Sequence, residues 1–351
     1  LLVELAVRLV WEALGDDVAI RIIASDAAAF ADASVLQWEA PFPTGSRNLG
    51  RQMGMLATGL VGPNAAVKKA IQDADVLVAV GGGYLRGGHA SAAVKSWGAH
   101  FGQLKLAARK GHRALYLPQS IGPFLPLYRG AIARQLERIA AVYVRDDRSV
   151  ADFASVATMH RSPDMAILEL AEQSVSPLAL DAGARPVIVA RELRKPRSYY
   201  HLLDEIRDSG AYEWALQSVG GGNDDYPLTT RLAGYEARPL KDVLGSSGGG
   251  RVVVSTRLHG SLSSLIAGHP SIHLSYERKG WGAFEDLGIG DFVLSARDAT
   301  FKDVEELRLR IVDDPAAYWA PVLASLARAA EVRSDIIASL RSIAGVDTGV
   351  S

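Results

Sequence analysis

The feature that most constrains this chain is a repeated junction: a short apolar run suited to a buried strand passes directly into glycine or charge, and then into an amphipathic helix. Val76 to Val80 runs into Gly81-Gly82-Gly83, Ala114 to Leu117 into Pro118-Gln119-Ser120-Ile121-Gly122-Pro123, and Ala141 to Val144 into Arg145-Asp146. Val252 to Ser255 runs into Arg257-Leu258-His259-Gly260, and Ser271 to Ser275 into Tyr276-Glu277-Arg278-Lys279-Gly280. Strands without polar alternation, separated by helices, imply parallel sheets covered on both faces. At 351 residues the chain has room for two such cores.

Helices are expected over Leu1 to Ala13, Pro63 to Asp73, Ala90 to Lys110, Leu127 to Ala140, Tyr199 to Asp208, Ser261 to Gly268, Lys302 to Val312 and Pro315 to Ala344, with others around Pro227 and Lys241. Further strands are expected at Val18 to Ala24, Val187 to Ala190 and Glu213 to Val219. Asp26 to Asn48 reads as loop with short helical pieces, and Glu172 to Arg185 as a linker. The domains expected are therefore 1–171 and 186–351, with the last helix returning to the first domain. The chain opens inside a helix, so a strand and its loop are expected ahead of Leu1.

Lys and Arg total 38 against 39 for Asp and Glu, a net charge of -1. That balance argues against nucleic acid as a partner, and any cationic cluster must be local. There are no cysteines, which removes thiolate chemistry. No apolar run approaches the ~18 residues that span a bilayer, so a soluble chain is expected.

In an open α/β sheet, ligands bind outside the carboxyl ends of the strands. Gly81, Gly83 and Gly88 lack the dinucleotide spacing, and no Walker lysine follows, so Gly82 and Gly83 read either as a tight turn or as backbone approaching a ligand. Gln119 and Ser120 are either part of a rigid proline turn or contacts for a sugar hydroxyl. Arg145 either belongs to a capping cluster with Asp146 or faces a cleft. Arg257 offers a planar fork for carboxylate or phosphate, and His259 a proton that exchanges near neutral pH. Three cationic groups at strand ends predict a multiply charged ligand held between the domains.

Taken in order, Gly81-Gly82-Gly83-Tyr84-Leu85, Leu117-Pro118-Gln119-Ser120-Ile121-Gly122-Pro123, Val144-Arg145-Asp146, Arg257-Leu258-His259-Gly260 and Tyr276-Glu277-Arg278-Lys279 resemble the polysaccharide pyruvyltransferase family. The resemblance implies two Rossmann-like doubly wound domains facing a central cleft, as in GT-B enzymes, closed by C-terminal helices. It implies transfer of a pyruvyl group from phosphoenolpyruvate to two hydroxyls of a sugar in a cell-surface glycan or its precursor, giving a cyclic ketal and phosphate. Arg145, Arg257, His259 and Lys279 would form the phosphoenolpyruvate site with Leu258 beside it, His259 and Lys279 being catalytic. Gly82, Gly83, Gln119 and Ser120 would be further substrate contacts. The family's front segment, a strand and a turn with glycine and aspartate, has no counterpart in this sequence.

The scheme calls for no cofactor beyond phosphoenolpyruvate as co-substrate, and for no metal. The acceptor sugar can be lipid-linked, which is compatible with a cytoplasmic protein touching the inner face of the membrane without an integral segment. Asp164, Glu277 and Asp146 are candidate bases, each equally readable as a cap or an arginine partner. A GT-B glycosyltransferase using a nucleotide sugar would share the architecture. A non-catalytic glycan-binding protein would leave His259 without a task.

Overall fold

The computed structural model describes residues 2–24, 35–37, 65–81, 83, 85–181, 183–194, 197–219 and 224–346, leaving out the side chains of 35–37, Lys95, Ala99, Arg278 and Lys279. The chain divides into two compact units, Leu1–Met165 with Val332–Ser351, and Ala166–Glu331.

In the first unit, the helix Leu2–Leu14 buries Leu5, Ala6, Leu9, Val10 and Ala13, the face its periodicity predicts. Strand β1 (Ile22–Ala24) pairs in parallel with β2 (Val35–Gln37). β2 corrects the loop expected there, because so brief an apolar stretch among alanine and serine carries no period. The main sheet places β3 (Leu77–Ala79), β4 (Ala114–Gln119), β5 (Ala141–Val144) and β6 (Met159–Arg161) side by side in that order, all parallel.

Every residue of β4 and β5 is buried, as expected of strands covered on both faces. Edge strand β6, Met-His-Arg, is half exposed and gives no hydropathic signal. The helix expected over Ala90 to Lys110 is interrupted. Its α-helical parts, Ala90–Ser96 and Gly102–Lys110, flank a π-helical stretch Trp97–Phe101, where Trp97 stacks on Phe101 with ring centroids 4.0 Å apart. Leu104, Ile132, Leu136, Val142 and Phe153 share the core beneath it.

In the second unit, β7 (Val187–Val189), β8 (Glu213–Leu216), β9 (Arg238–Pro239), β10 (Val253–Ser255), β11 (Ser271–Ser275) and β12 (Val293–Ser295) form a parallel sheet in the order β12-β11-β10-β7-β8-β9. The chain builds outward from β7 on one side, returns to the centre at β10 and builds outward on the other. This is the Rossmann order, and its switch point lies between β7 and β10. Val187, Val189 and Val253 meet Leu240, Val243 and Leu244 of the helix Leu240–Gly245 in one apolar cluster.

The stretch read as a linker lies along the second unit. Leu178 N donates to Gly268 O at 3.0 Å, and Gly250 N to Ala179 O at 2.7 Å. The helices Asp147–Asp152, Met165–Glu172 and Arg278–Asp286, with β9 and β12, add to the elements expected from sequence. The last helix, Pro315–Ala344, contributes to both units. Tyr318 is in the second, donating to Ser271 O at 2.8 Å, whereas Arg333, Ser339 and Arg341 bind Glu12, Tyr143 and Ala13 O of the first.

Candidate active site

Strands β10, β11 and β12 each end in serine, at 255, 275 and 295. Ser255 Oγ accepts from Arg257 N at 3.1 Å and donates to Arg257 O at 2.8 Å, closing the turn that ends β10. Ser275 Oγ donates to Glu277 O at 2.6 Å in the same manner. The glycine five residues on is pressed against each serine. A Cβ on Gly260 would lie 2.7 Å from Ser255 Oγ, and one on Gly280 2.5 Å from Ser275 Oγ. These two turns carry the residues predicted to act. His259 and Lys279 occupy the same position, second in their helices Leu258–Ile266 and Arg278–Asp286. His259 is exposed and Leu258 half-buried, while the side chain of Lys279 lies outside the described residues.

Arg257 stands at the N-cap of its helix, in extended backbone. Its Nε donates to both carboxylate oxygens of Asp225, at 3.1 and 2.9 Å, and its Nη2 adds a further bond to Oδ1. Asp225 is fully buried at the N-cap of the helix Tyr226–Ala233. Its burial pushes the carboxyl above its usual range, against the pull of Arg257 and, more weakly, of Arg191. The pair fixes the guanidinium in direction and compensates its charge.

Arg191 follows β7 at the other lip of the switch point. Its Nη1 donates to the Tyr276 hydroxyl, and its guanidinium carbon lies 5.2 Å from the centroid of that ring. Two tyrosines of the helix Arg197–Ser209 pin the backbone there. Tyr199 OH accepts from Arg191 N at 3.2 Å and donates to Arg191 O at 3.0 Å, with Thr256 Oγ1 at 2.9 Å. Tyr200 OH does the same for Leu193, at 3.1 and 2.6 Å. Complete burial raises the Tyr199 phenol far above its ordinary value, so it stays protonated.

The first unit presents a parallel edge. Gly81 follows β3, Gln119 and Ser120 lie at the end of β4, Arg145 follows β5, and Asp164 follows β6. Arg145 Nε donates to Ser120 Oγ at 3.0 Å and its Nη1 to Asp164, joining three strand ends. Arg145 N also donates to Gln119 O at 3.1 Å. Gln119 is fully buried with no hydrogen-bond partner on its side-chain amide among the described residues. A Cβ on Gly81 would collide with Pro118 O and lie 2.8 Å from Gln119 Cβ, so glycine is needed here for close approach of backbone. Gly83 is exposed, and Gly82 lies outside the described residues.

The structure thus gathers Gln119, Ser120 and Arg145 on one sheet edge, and Arg257, Leu258 and His259 on another. Two of the candidate bases have structural work: Asp146 caps the helix Asp147–Asp152 by accepting from Ser149 N at 2.8 Å, and Asp164 binds Arg145. Glu277 stands at an N-cap without a side-chain capping bond. Sequence reading passed over Arg191, although it too is the first charged residue after an apolar run. It also gave Asp225 no role, because its partner lies 32 residues away.

Two parallel-sheet units with polar strand ends define a two-domain α/β protein of the GT-B-like type. The crystal structure of UDP-GlcNAc 2-epimerase from Neisseria meningitidis bound to UDP-GlcNAc resembles it over 96% of each chain, with a TM-score of 0.55 at 9% identity, a likeness of fold. A model of the polysaccharide pyruvyl transferase family matches residues 2–278, and the chain belongs to that family. It is a transferase with a pyruvyl-transfer role in polysaccharide chemistry. No curated protein sequence matches it. Among the described residues, no helix is long and apolar enough to cross a membrane.

Proposed function

We propose that this transferase takes its pyruvyl group from phosphoenolpyruvate and places it on two hydroxyls of one sugar as a cyclic ketal. The observation that carries this reading is the Arg257-Leu258-His259 turn, which sets a fixed guanidinium and an exposed imidazole on the first turn of a helix at the switch point. A helix N-terminus beside a guanidinium suits phosphate, and an imidazole beside it can move a proton. In the first step a sugar hydroxyl adds to C2 of the donor while the methylene carbon gains a proton and becomes methyl. In the second, the neighbouring hydroxyl attacks C2 and the C2–O bond to phosphate breaks. Of the two hydroxyl protons released, one balances that taken up by carbon and the other leaves with phosphate or passes to water.

His259 serves as the acid in this scheme, and Lys279, second in the next helix, supports the departing phosphate. The resemblance groups Arg145 with the donor residues. Its bonds to Ser120 and Asp164 lead us to place it, with Gln119, among the acceptor contacts of the first unit.

The test is phosphate release from phosphoenolpyruvate with a panel of glycan precursors, read beside the mass of the product. Release that needs both substrates, with a pyruvyl ketal on the glycan, is the expected result. His259→Ala should lose about 10²- to 10⁴-fold in kcat without a change in melting temperature. A melting shift with UDP-sugars and none with phosphoenolpyruvate would instead assign the protein to nucleotide-sugar chemistry.

A further inference from the structure

One stretch of the first unit differs sharply from the rest of the chain in charge. From Val76 to Val144 there are nine Lys and Arg against one acidic residue, Glu137, in a chain whose net charge is -1. We infer that the helices of this stretch form a docking face for a bilayer rich in anionic lipid. Lys105, Arg134 and Arg138 meet the headgroup phosphates there, and Leu127 enters the hydrocarbon.

Three observations carry this. The cations gather at one place: Lys105, Arg134 and Arg138 line a groove of about 540 Å³ shared by the helix Gly102–Lys110 and the helix Pro126–Leu136, with Glu137 as its single carboxylate. Lys110 and Arg129 are engaged elsewhere, Lys110 on Gln72 O and Ala74 O and Arg129 toward Asp152 at 4.0 Å, so the face rests on the groove cations. The groove is also aromatic. Its residues Trp97 and Phe101 stack on each other in the π-helical stretch, and Tyr128, which donates to Ser96 Oγ at 3.1 Å, sets its ring centroid 5.6 Å from that of Trp97. Finally, the cationic stripe continues into exposed hydrocarbon. Leu127, Ala131, Arg134 and Arg138 recur at helical spacing, Leu127 is 94% exposed, and Leu125 at the N-cap is 40% exposed. A lone leucine on a surface is ordinary, but one that extends a cationic stripe beside an aromatic groove has the composition of an interfacial helix.

A bilayer surface offers phosphate above and hydrocarbon below, and Lys or Arg beside leucine matches both layers, the charged head staying among the headgroups while the stem and the leucine reach the acyl boundary. A single-stranded nucleic acid would need open ring faces for its bases, whereas Trp97 and Phe101 turn their faces on each other. Both helical segments start from the carboxyl edge of the β3-β4-β5-β6 sheet, one following β3 and the other β4. That edge carries Gln119, Ser120 and Arg145, the acceptor contacts proposed above. A membrane on this face would hold a lipid-linked sugar near the residues that receive it, a consequence that rests on the acceptor assignment; the docking itself does not.

The experiment is co-sedimentation of the full chain with vesicles of phosphatidylcholine alone and of phosphatidylcholine with about one-third phosphatidylglycerol. Wild type should bind the anionic vesicles at least roughly 10-fold more tightly than the neutral ones, with affinity falling as salt rises. Arg134 and Arg138 are exposed, so Arg134→Gln combined with Arg138→Gln should keep the melting temperature and weaken binding to the anionic vesicles by about 10- to 30-fold, each cation contributing roughly 5-fold. Leu127→Ser should weaken it by about 3- to 10-fold. Arg231→Gln combined with Lys241→Gln removes the same charge from exposed positions of the second unit and should change affinity by less than about 3-fold. Equal losses in the two double variants, unaltered binding by Leu127→Ser, or equal binding to neutral and anionic vesicles would each overturn the docking face. A single-stranded oligonucleotide that binds more tightly than the vesicles at the same salt, or dimers that Leu127→Ser dissolves, would overturn it in favour of nucleic acid or a second copy. Phosphate release from phosphoenolpyruvate with a soluble glycan precursor needs no vesicle and tests the donor reading separately.

Discussion

Each unit ends a central strand in an arginine bound to an aspartate, but the settings differ. Arg145 follows β5 in a sheet whose strands run β3-β4-β5-β6 without reversal, and its bonds go sideways to Ser120 and Asp164 on the neighbouring strand ends. Arg257 follows β10, where the strand order reverses beside β7. A reversal opens a crevice because successive helices cross to opposite faces of the sheet. One arginine therefore stitches an edge together, and the other stands at an opening beside a helix N-terminus. Under the function proposed above, the same residue type after the same kind of strand takes a different task because the strand order around it differs.

The most direct way to break this contrast is to remove each guanidinium in turn. Arg257→Ala should weaken phosphoenolpyruvate roughly 10- to 100-fold, since a charge-assisted bond is lost and Asp225 is left buried without its main partner. Some loss of thermal stability should accompany it. Arg145→Ala should raise the KM for the glycan acceptor and leave phosphoenolpyruvate affinity within about 3-fold, the size of change expected where no direct bond to the ligand is lost. Equal losses of donor affinity in the two variants, measured by calorimetry, would end the division of labour between the edges.

The helix after β11 offers a sharper test, because it contains two glycines in opposite circumstances. A Cβ on Gly280 would run into the His273 ring and lie 2.5 Å from Ser275 Oγ, whereas one on Gly282 meets nothing within 4 Å. His273 cannot easily yield: its Nδ1 is 2.9 Å from Ser255 O, and its ring stacks on Phe284 with centroids 5.4 Å apart. Gly280→Ala should therefore cost about 1–3 kcal/mol of stability through overpacking. Gly282→Ala should be neutral or stabilising by up to about 1 kcal/mol, the ordinary helix preference for alanine. Chemical denaturation of the two variants side by side decides the matter. Equal effects would show that the helix does not press on β11 as described.

What the sequence disclosed and what it withheld follow the same division between local and distant causes. Ala141–Val144 and Ser271–Ser275 have the bounds read from the letters, because a parallel strand buried on both faces is made mostly of apolar and small residues; His273 is the polar exception, with its Nδ1 2.9 Å from Ser255 O. β6 and β9 were illegible because an edge strand of Met-His-Arg, or of Arg-Pro, need satisfy only one neighbour. The family was legible because its motifs lie at strand ends, where the backbone places them irrespective of detail. Arg191 obeyed the rule that marked Arg145 and Arg257, yet its weight depends on β7 and β10 being neighbours, which no local pattern reports. Asp225, likewise, was one more acidic residue in a glycine-rich loop until the fold set it against Arg257.

The smallest expected effect comes from a pair that inverts the buried one. Arg333, on the last helix, grips Glu12 with both Nη atoms, much as Arg257 grips Asp225, yet the Glu12 side chain is 40% exposed and that of Asp225 not at all. For Glu12 the hydrogen bond from Arg333 outweighs burial and lowers the pKa. For Asp225 burial outweighs Arg257 and raises it. The linkage signs are therefore opposite. Glu12 binds fewer protons folded than unfolded, so its contribution is present above the ordinary glutamate range and is lost as pH falls through the depressed value. Asp225 binds more protons folded than unfolded, so stability declines as pH rises from the ordinary aspartate range through the elevated value. Glu12→Gln should cost about 0.2–1 kcal/mol at neutral pH, the scale of a partly exposed ion pair. That cost should vanish once the solution is acidic enough to protonate Glu12 in the folded protein. Denaturation of wild type and Glu12→Gln across this range gives the answer: a cost that persists or grows toward acid would mean that the helices Leu2–Leu14 and Pro315–Ala344 are joined by their packing and by Arg341 on Ala13 O, with the ion pair adding nothing.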